Sequence, residues 1–397
     1  VLLKPDFRVS GGASVRPVGR GHFMKLFIVQ ESFLDEDITE ITEVVSNGLA
    51  ARQHNITLIT LTGKPRDLSH YSPRITPVFL EKARAAAAAA GVARLVEKEK
   101  PDIILSHGTG SNIACLSAVK TRSRLKVPVA ITLHSSVTIS DRLALKTQKS
   151  AATIAVPLIY REAERVICTL KSIEHVVDLC EQVPKEKISV IYNPLVEMNV
   201  FETAAEPIEE EWFEAQGTSK VISVGAPSSR NAHHQLLRAM ALSRYKDNLR
   251  AYLLGNGEEQ EELQLLASNL ALDDIVTMPG EVTKPERFLR AANVYVSTSQ
   301  QDSVSGELVR AMALGTPIIA LDSGAGAREV LSDVRNGWLV PSGDADKLSE
   351  AILAAVKCDR SDDTLATRAR DFSQERAIDA YEKLLLSMIS ERVADLN

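Results

Sequence analysis

The sequence predicts an α/β protein made of two doubly wound domains with parallel sheets. Three observations lead there. Short apolar, β-branched runs alternate with longer stretches of helical period, the pattern of strands buried on both faces and covered by helices. The alternation breaks once, over Asn193–Gly217, and then restarts. At 397 residues, the chain is two to three times as long as a typical domain of about 100–200 residues.

In the first half, strands are expected at Lys25–Val29, Ile56–Leu61, Ile103–Leu105, Val129–Leu133, Val166–Cys168 and Ile188–Ile191. Helical stretches lie between them at Ile38–Arg52, Glu81–Glu99 (six alanines at 85–90), Ser111–Lys120 and Lys171–Cys180. The interruption carries Pro194, Pro207 and seven acids, Glu209-Glu210-Glu211 among them, and reads as a linker. Strands resume at Val221–Val224, Ala251–Leu254, Ile275–Met278, Val294–Ser297, Ile318–Leu321 and Trp338–Val340, and Thr364–Leu396 has helical period. The expected domains are therefore 24–195 and 219–375, with a linker at 196–218 and a terminal helix at 376–397. Residues 1–23 read as an upstream extension, because Met24 opens directly into the first strand.

Composition narrows the function classes. Mean hydropathy is −0.04, charged residues make up 25% and no run approaches the roughly 20 apolar residues of a membrane span. Four cysteines, Cys115, Cys168, Cys180 and Cys358, stand at no metal or redox spacing, which fits free thiols in a reducing compartment. Residues 24–198 carry 22 Lys/Arg against 19 Asp/Glu, whereas residues 199–397 carry 20 against 32. A net-acidic chain is a poor nonspecific ligand for nucleic acid. The cluster Lys120, Arg122, Arg124 and Lys126 is either a solvated helix end or a surface for an anionic lipid or glycan.

Two loops of the second half suggest chemistry. After Val221–Val224 comes Gly225-Ala226-Pro227-Ser228-Ser229-Arg230-Asn231, with a helix expected from about Ala232. Free amides at a helix start attract phosphate, and Arg230 can fork a diphosphate. After Val294–Ser297, the polar stretch Asp302-Ser303-Val304-Ser305-Gly306-Glu307 opens a helix that ends at Gly315, ahead of Pro317. Asp302 can accept from sugar hydroxyls, and the Ser305, Gly306 and Glu307 amides can donate to an oxyanion. A plain βα turn and a capped helix with an acidic first turn are the alternatives.

The stretch Ala311-Met312-Ala313-Leu314-Gly315-Thr316-Pro317, with Gly324 to Glu329 and Asn336-Gly337-Trp338-Leu339-Val340-Pro341-Ser342-Gly343-Asp344, resembles the carboxyl-terminal domain of family 4 retaining glycosyltransferases. Those enzymes have the GT-B fold, two Rossmann-like domains facing across a cleft. Val224-Gly225, Leu254-Gly255-Asn256-Gly257 and Pro279-Gly280-Glu281-Val282 fall in the family's order. Ile131-Thr132-Leu133-His134 resembles the strand that ends in its active-site histidine, and Val190-Ile191-Tyr192-Asn193-Pro194 its pre-linker motif. The resemblance spans about 24–395 and is tighter in the second domain.

The resemblance implies metal-independent, cofactor-free transfer of a hexosyl group from a nucleotide-diphosphate sugar to a glycan or lipid-linked acceptor. UDP-sugars stand ahead of GDP-sugars, and the expected place is the cytoplasm or the inner face of its membrane. It implies catalytic roles for His134 and Asp302, with Gly225, Arg230, Gly255, Val282, Ser303, Ser305, Gly306, Glu307 and Arg310 on the donor. Positive charge and aimed amides suit a leaving diphosphate.

Several positions depart from the family. Ala226 replaces a basic residue, Asn231 replaces a lysine with Arg230 one place early, and Asp35-Glu36-Asp37 replaces a Gly-Gly loop. Of two glutamates separated by seven residues, the first becomes Asp302 and the second Arg310, which cannot accept from ribose hydroxyls. Either Arg230 and Arg310 redistribute charge for an unusual donor, with Glu307 pairing with Arg310 or taking the ribose, or the donor site has decayed into a non-catalytic GT-B subunit. A phosphorylase or sugar-nucleotide epimerase is a third reading.

Overall fold

A computed structural model describes residues 23–396 except 65–66, 83–84, 122–126, 135–159, 174–182, 214–216, 229–230, 244–247, 302, 333 and 361–362. The chain divides into two units, each built on one parallel sheet. One holds the described residues up to Pro194 together with the terminal helix, and the other holds Leu195–Ser373.

The first sheet has β1 (Lys25–Gln30), β2 (Asn55–Thr60), β3 (Thr76–Phe79), β4 (Ile103–His107), β5 (Val129–Leu133), β6 (Arg165–Cys168) and β7 (Ile188–Val190), ordered β3-β2-β1-β4-β5-β6-β7. The second has β8 (Ser219–Val224), β9 (Leu249–Leu254), β10 (Val276–Gly280), β11 (Val294–Ser297), β12 (Ile318–Asp322) and β13 (Gly337–Pro341), ordered β10-β9-β8-β11-β12-β13. The first six strands of the first sheet and the six of the second thus follow the same doubly wound sequence. The winding reverses between β1 and β4 in one sheet and between β8 and β11 in the other. Ligands of such sheets bind beyond the carboxyl ends of strands at that reversal.

The central strands are apolar throughout because helices cover both faces. In the first unit, Leu26, Ile28 and Leu105 pack with Ile41, Val45 and Leu49 of the helix Glu36–Ala51 and with Tyr381, Leu385 and Met388 of Gln374–Leu396. Charge fastens the terminal helix as well: Arg52 pairs with Asp379 and, at 2.6 Å, with Glu382, and Arg165 pairs with Glu391 at 2.8 Å. In the second unit, Val221, Leu253, Val296 and Ile319 pack with Leu236, Met240, Leu348 and Ile352.

All twelve expected strands are present, most extended by a residue or two. The edge strand β3 is additional; half exposed and with Pro77 in its middle, it lacks the apolar run that marks a buried strand. The helix expected over Glu81–Glu99 reduces to a 3₁₀ turn at Ala85–Ala88 followed by Ala89–Glu99. Alanines favour helix but supply little apolar stripe: of residues 87–90 only Ala88 is buried, whereas Gly91, Val92, Ala93 and Val96 all are. The stretch expected as a linker carries a helix, Val200–Ala204, and a 3₁₀ turn, Glu211–Phe213. Trp212 stacks on Phe288 at 5.2 Å, and Arg287 pairs with Glu210 at 2.9 Å, so this segment is tied to the helix Glu286–Ala291 of the second unit. The helical period over Thr364–Leu396 is cut by a 3₁₀ turn at Arg370–Phe372. Of the stretch Lys171–Cys180, only the first three residues are described.

Gly48 lies where the helices Glu36–Ala51 and Gln374–Leu396 meet: a Cβ there would stand 2.3 Å from Ile378 Cδ1 and 2.7 Å from Cγ1. In an open helix, Gly→Ala gains about 1 kcal/mol. Here overpacking wins, and Gly48→Ala is expected to cost about 1–3 kcal/mol, read as a lower urea midpoint with an unchanged slope.

Candidate functional site

Three glycines line the carboxyl ends of β8, β9 and β10. Gly225, Gly255 and Gly280 all have positive φ, at 146°, 135° and 87°. The Gly225 amide donates to Leu254 O at 2.9 Å, and the Gly255 amide donates to Gly280 O at 2.8 Å, so the strand ends form one backbone rim. A Cβ on Gly255 would lie 2.5 Å from Gly225 O, and one on Gly257 2.3 Å from Pro227 O. No side chain fits between these loops. Val282 follows β10 and is half-buried.

Asn231 does mechanical work in the first loop. Its Nδ2 donates to Ala226 O at 2.9 Å, its amide donates to Ser228 O at 2.9 Å, and it forms a bridge to Ser299. Ala232 N donates to Thr298 O at 2.9 Å, so the loop after β8 is sewn to the loop after β11 across the winding reversal. Arg230 lies outside the described residues, as does Asp302.

The helix Gly306–Ala313 opens at the same edge, after β11. Ser305 caps it, accepting from Leu308 N at 3.3 Å and donating to Glu307 Oε2 at 2.8 Å. Ser303 Oγ donates to Gln301 Oε1 at 3.0 Å. The Gly306 and Glu307 amides open the helix and have no carbonyl four residues back within it. Free amides of this kind at a helix start favour an anion.

Arg310, on the same helix, is 11% exposed and sits among carboxylates: Glu307 at 3.5 Å, and Glu197 and Glu286 each at 3.8 Å. Its guanidinium also underlies Gly306, where an added Cβ would stand 3.0 Å from Nη1. Glu307 therefore pairs with Arg310, one of the two roles open to it in the sequence. Among the described residues, three carboxylates thus surround this one guanidinium.

In the first unit, His134 follows β5 and His107 ends β4. His107 Nδ1 and His134 Nε2 are 3.1 Å apart, with the rings 5.3 Å between centroids. Burial pushes the His134 imidazole down to about 4, against the pull of Asp35 and the Asn193 amide; burial, and then His134, hold His107 well below its ordinary range. His107 is fully buried and its ring centroid is 6.1 Å from that of Tyr381. Lys120 pairs with Glu162 at 3.1 Å, while residues 122–126 of its basic cluster lie outside the described residues.

Comparison with known proteins places both halves. Residues 41–196 match the model of Glycosyltransferase Family 4, and residues 205–372 match that of Glycosyl transferases group 1. The chain belongs to this glycosyltransferase family. It is 31% identical over 172 residues to the lipopolysaccharide core biosynthesis glycosyltransferase LpsE of Rhizobium meliloti, 42% of this chain and 49% of that protein. It is 22% identical to N-acetyl-alpha-D-glucosaminyl L-malate synthase of Bacillus anthracis over 86% of this chain and 92% of that one. The match to LpsE thus takes in about half of that relative's length. The crystal structure of Anabaena HepE in complex with UDP superposes with a TM-score of 0.73 at 17% identity, covering 93% of this chain and all of that one. That likeness shows the fold, GT-B.

Sequence reasoning passed over His107, whose position after the run Ile103–Leu105 at a strand end is the signal that could have found it. It also passed over His233, which opens the helix His233–Ser243. His233 is 1% exposed, neither ring nitrogen has a hydrogen-bond partner, and burial, with His234, pushes it down to about 4. Two predictions follow from this geometry. Removing Arg310 strands carboxylates around a largely buried site, so Arg310→Ala is expected to lose about 3 kcal/mol of unfolding stability in urea. Because the folded pKa of His233 lies below the unfolded value, the unfolded chain binds more protons and stability falls as pH drops from about 6.5 toward 4. His233→Leu should therefore outlast the parent by a margin that widens by about 2 kcal/mol between pH 7.5 and 5, checked by urea melts at each pH.

Proposed function

We propose that the protein is a retaining hexosyltransferase that takes a nucleotide-diphosphate sugar, a UDP-sugar ahead of a GDP-sugar, and glycosylates a glycan or lipid-linked acceptor in envelope or secreted polysaccharide synthesis. The observation that carries the reading is the helix Gly306–Ala313 opening beside the winding reversal of the second sheet, in a chain whose two halves both match glycosyltransferase models. A diphosphate held by the Gly306 and Glu307 amides is a better leaving group. As the sugar C1–O bond to phosphate breaks, charge grows on the phosphate oxygen those amides face. The new bond forms from C1 to the acceptor oxygen, whose proton passes to the departing diphosphate. No metal or cofactor is required by this scheme. The UDP bound by HepE and the lipopolysaccharide core biosynthesis named for LpsE are in keeping with a UDP-sugar and an envelope product. No helix among the described residues is long and apolar enough to cross a membrane. Work in the cytoplasm, or at the inner membrane face through the basic cluster near Lys120, is part of the proposal.

A second reading has its own support. Arg310 is engaged by carboxylates, and Asn231 is neutral with its side-chain amide given to a loop carbonyl; a non-catalytic GT-B subunit that binds an acceptor or a partner transferase would have this appearance. Calorimetric titration with UDP, GDP, CDP and ADP, without metal and then with magnesium, separates the two. The transferase reading expects micromolar binding of one nucleotide, and silence from all four overturns it. In the transferase, His134→Ala is expected to cut turnover by about 100-fold through lost positioning, with nucleotide affinity retained.

A further inference from the structure

We propose that the first unit contains an internal site for about two ordered water molecules, set just inside its strand-end edge and lined by Thr60, Gln30, His107, Thr132 and Tyr381. Strand register puts four of these residues in one row. Gln30 of β1 pairs with Thr60 of β2 on one side and with His107 of β4 on the other, and His107 pairs with Thr132 of β5. Residues in register on parallel strands share a face. Two positions earlier on that face stand Leu58, Ile28, Leu105 and Ala130, packed under the helices Glu36–Ala51 and Gln374–Leu396. The apolar stack therefore ends in a polar row that crosses the winding reversal between β1 and β4. From the terminal helix, Tyr381 brings its ring centroid within 6.1 Å of that of His107 and its hydroxyl toward Thr132.

All five side chains are fully buried, yet they do not satisfy one another. Both polar atoms of the Gln30 amide, the Thr60, Thr132 and Tyr381 hydroxyls and His107 Nε2 have no hydrogen-bond partner among the described residues. His107 spends its other nitrogen on His134, at 3.1 Å. Buried polar groups are as a rule hydrogen-bonded, to protein or to ordered water, and six unpaired atoms in one row break that rule together. Neighbouring strands lie about 4.8 Å apart, and polar side chains on them that miss direct contact stand at a spacing that one water bridges.

The lining selects water over other occupants. It offers amide, hydroxyl and imidazole groups, donors and acceptors together, and holds no carboxylate, ammonium or guanidinium. Burial keeps the His107 imidazole well below its ordinary range and the Tyr381 hydroxyl protonated, so the row is uncharged. An ion would stand there without a counter-charge in a low-dielectric interior, and an apolar molecule would leave the same atoms unpaired. A buried water makes about three hydrogen bonds to such groups, so about two waters meet the six atoms. They reach His107 at Nε2, the nitrogen that His134 does not touch, and the histidine pair thus rests on a hydrated row of strand ends.

Two measurements on the full-length protein test the site. A high-resolution crystal structure is expected to show water within hydrogen-bond distance of the Gln30 amide and of at least one other side chain of the row. Finding Gln30, Thr60, His107, Thr132 and Tyr381 bonded directly to one another, with no water among them, overturns the proposal. In solution, ¹⁷O magnetic relaxation dispersion counts long-lived internal waters. The double variant Gln30→Met, Thr60→Val replaces three of the six polar atoms by apolar groups of similar shape, and its dispersion amplitude is expected to fall by at least one water. An unchanged amplitude in the folded variant overturns the proposal as well. Should the variant fail to fold, the crystal structure of the parent decides alone. Neither measurement needs a nucleotide, so the water site stands or falls apart from the transferase reading.

Discussion

A parallel sheet that winds outward from its middle in both directions leaves one place where neighbouring strand ends send their chains apart. Every residue argued to carry chemistry here depends on that constraint. In the second sheet it lies between β8 and β11, where Asn231 bridges to Ser299 and the helix Gly306–Ala313 opens. In the first it lies between β1 and β4, where Gln30 and His107 pair in register and His134 stands one strand further on. Elsewhere along the sheet edges, consecutive connections cover the same face and leave less room. The glycines at the ends of β8, β9 and β10 sharpen the geometry by letting loop backbones approach where no Cβ could stand.

Charge is distributed against the simplest expectation for a phosphate site. Arg310 is placed on the anion-facing helix but turned into a cluster of acids, and its partners come from three separate stretches at Glu197, Glu286 and Glu307. An arginine among three carboxylates gains Coulomb energy only at the cost of desolvation, so the cluster's worth lies more in register than in net stability. It fixes the helix start relative to the helix Glu286–Ala291 and to the segment that leads in from residue 195. The amides of Gly306 and Glu307, proposed above to hold the diphosphate, are thereby held in place by a cation that itself meets carboxylates. Preorganised donors of this kind stabilise developing charge without reorganising at the moment of reaction.

Much of this was legible in the sequence, for identifiable reasons. Strands buried on both faces announce themselves as apolar runs, and twelve of thirteen did; β3, with Pro77 and an exposed edge, did not. Glycines at strand ends and the Ser305 cap were readable because backbone conformation restricts which residues can stand there. The Arg310 cluster was only a third legible. Glu307 lies one helical turn away, but Glu197 and Glu286 approach only once the second sheet is wound. The clasp made by Asn231 was hidden behind its reading as a missing lysine. His107 and His134 are 27 residues apart and meet because β4 and β5 are neighbours, which neither local pattern states.

The histidine pair changes what the strand-end histidine can mean. A histidine at an active edge is commonly read as an acid or a base, because its ordinary pKa lies near neutrality. Burial weakens that option here, since it lowers both imidazoles from their ordinary range. What remains is shape and polarity: a flat, neutral ring in a fixed orientation at the carboxyl end of β5. An oxocarbenium-like centre needs no strong base beside it, and a positive imidazolium would oppose its charge. Keeping His134 neutral therefore suits sugar transfer better than leaving it free to titrate. The fully buried His107, 3.1 Å away, works in the same direction, since two imidazolium rings at that distance would repel each other.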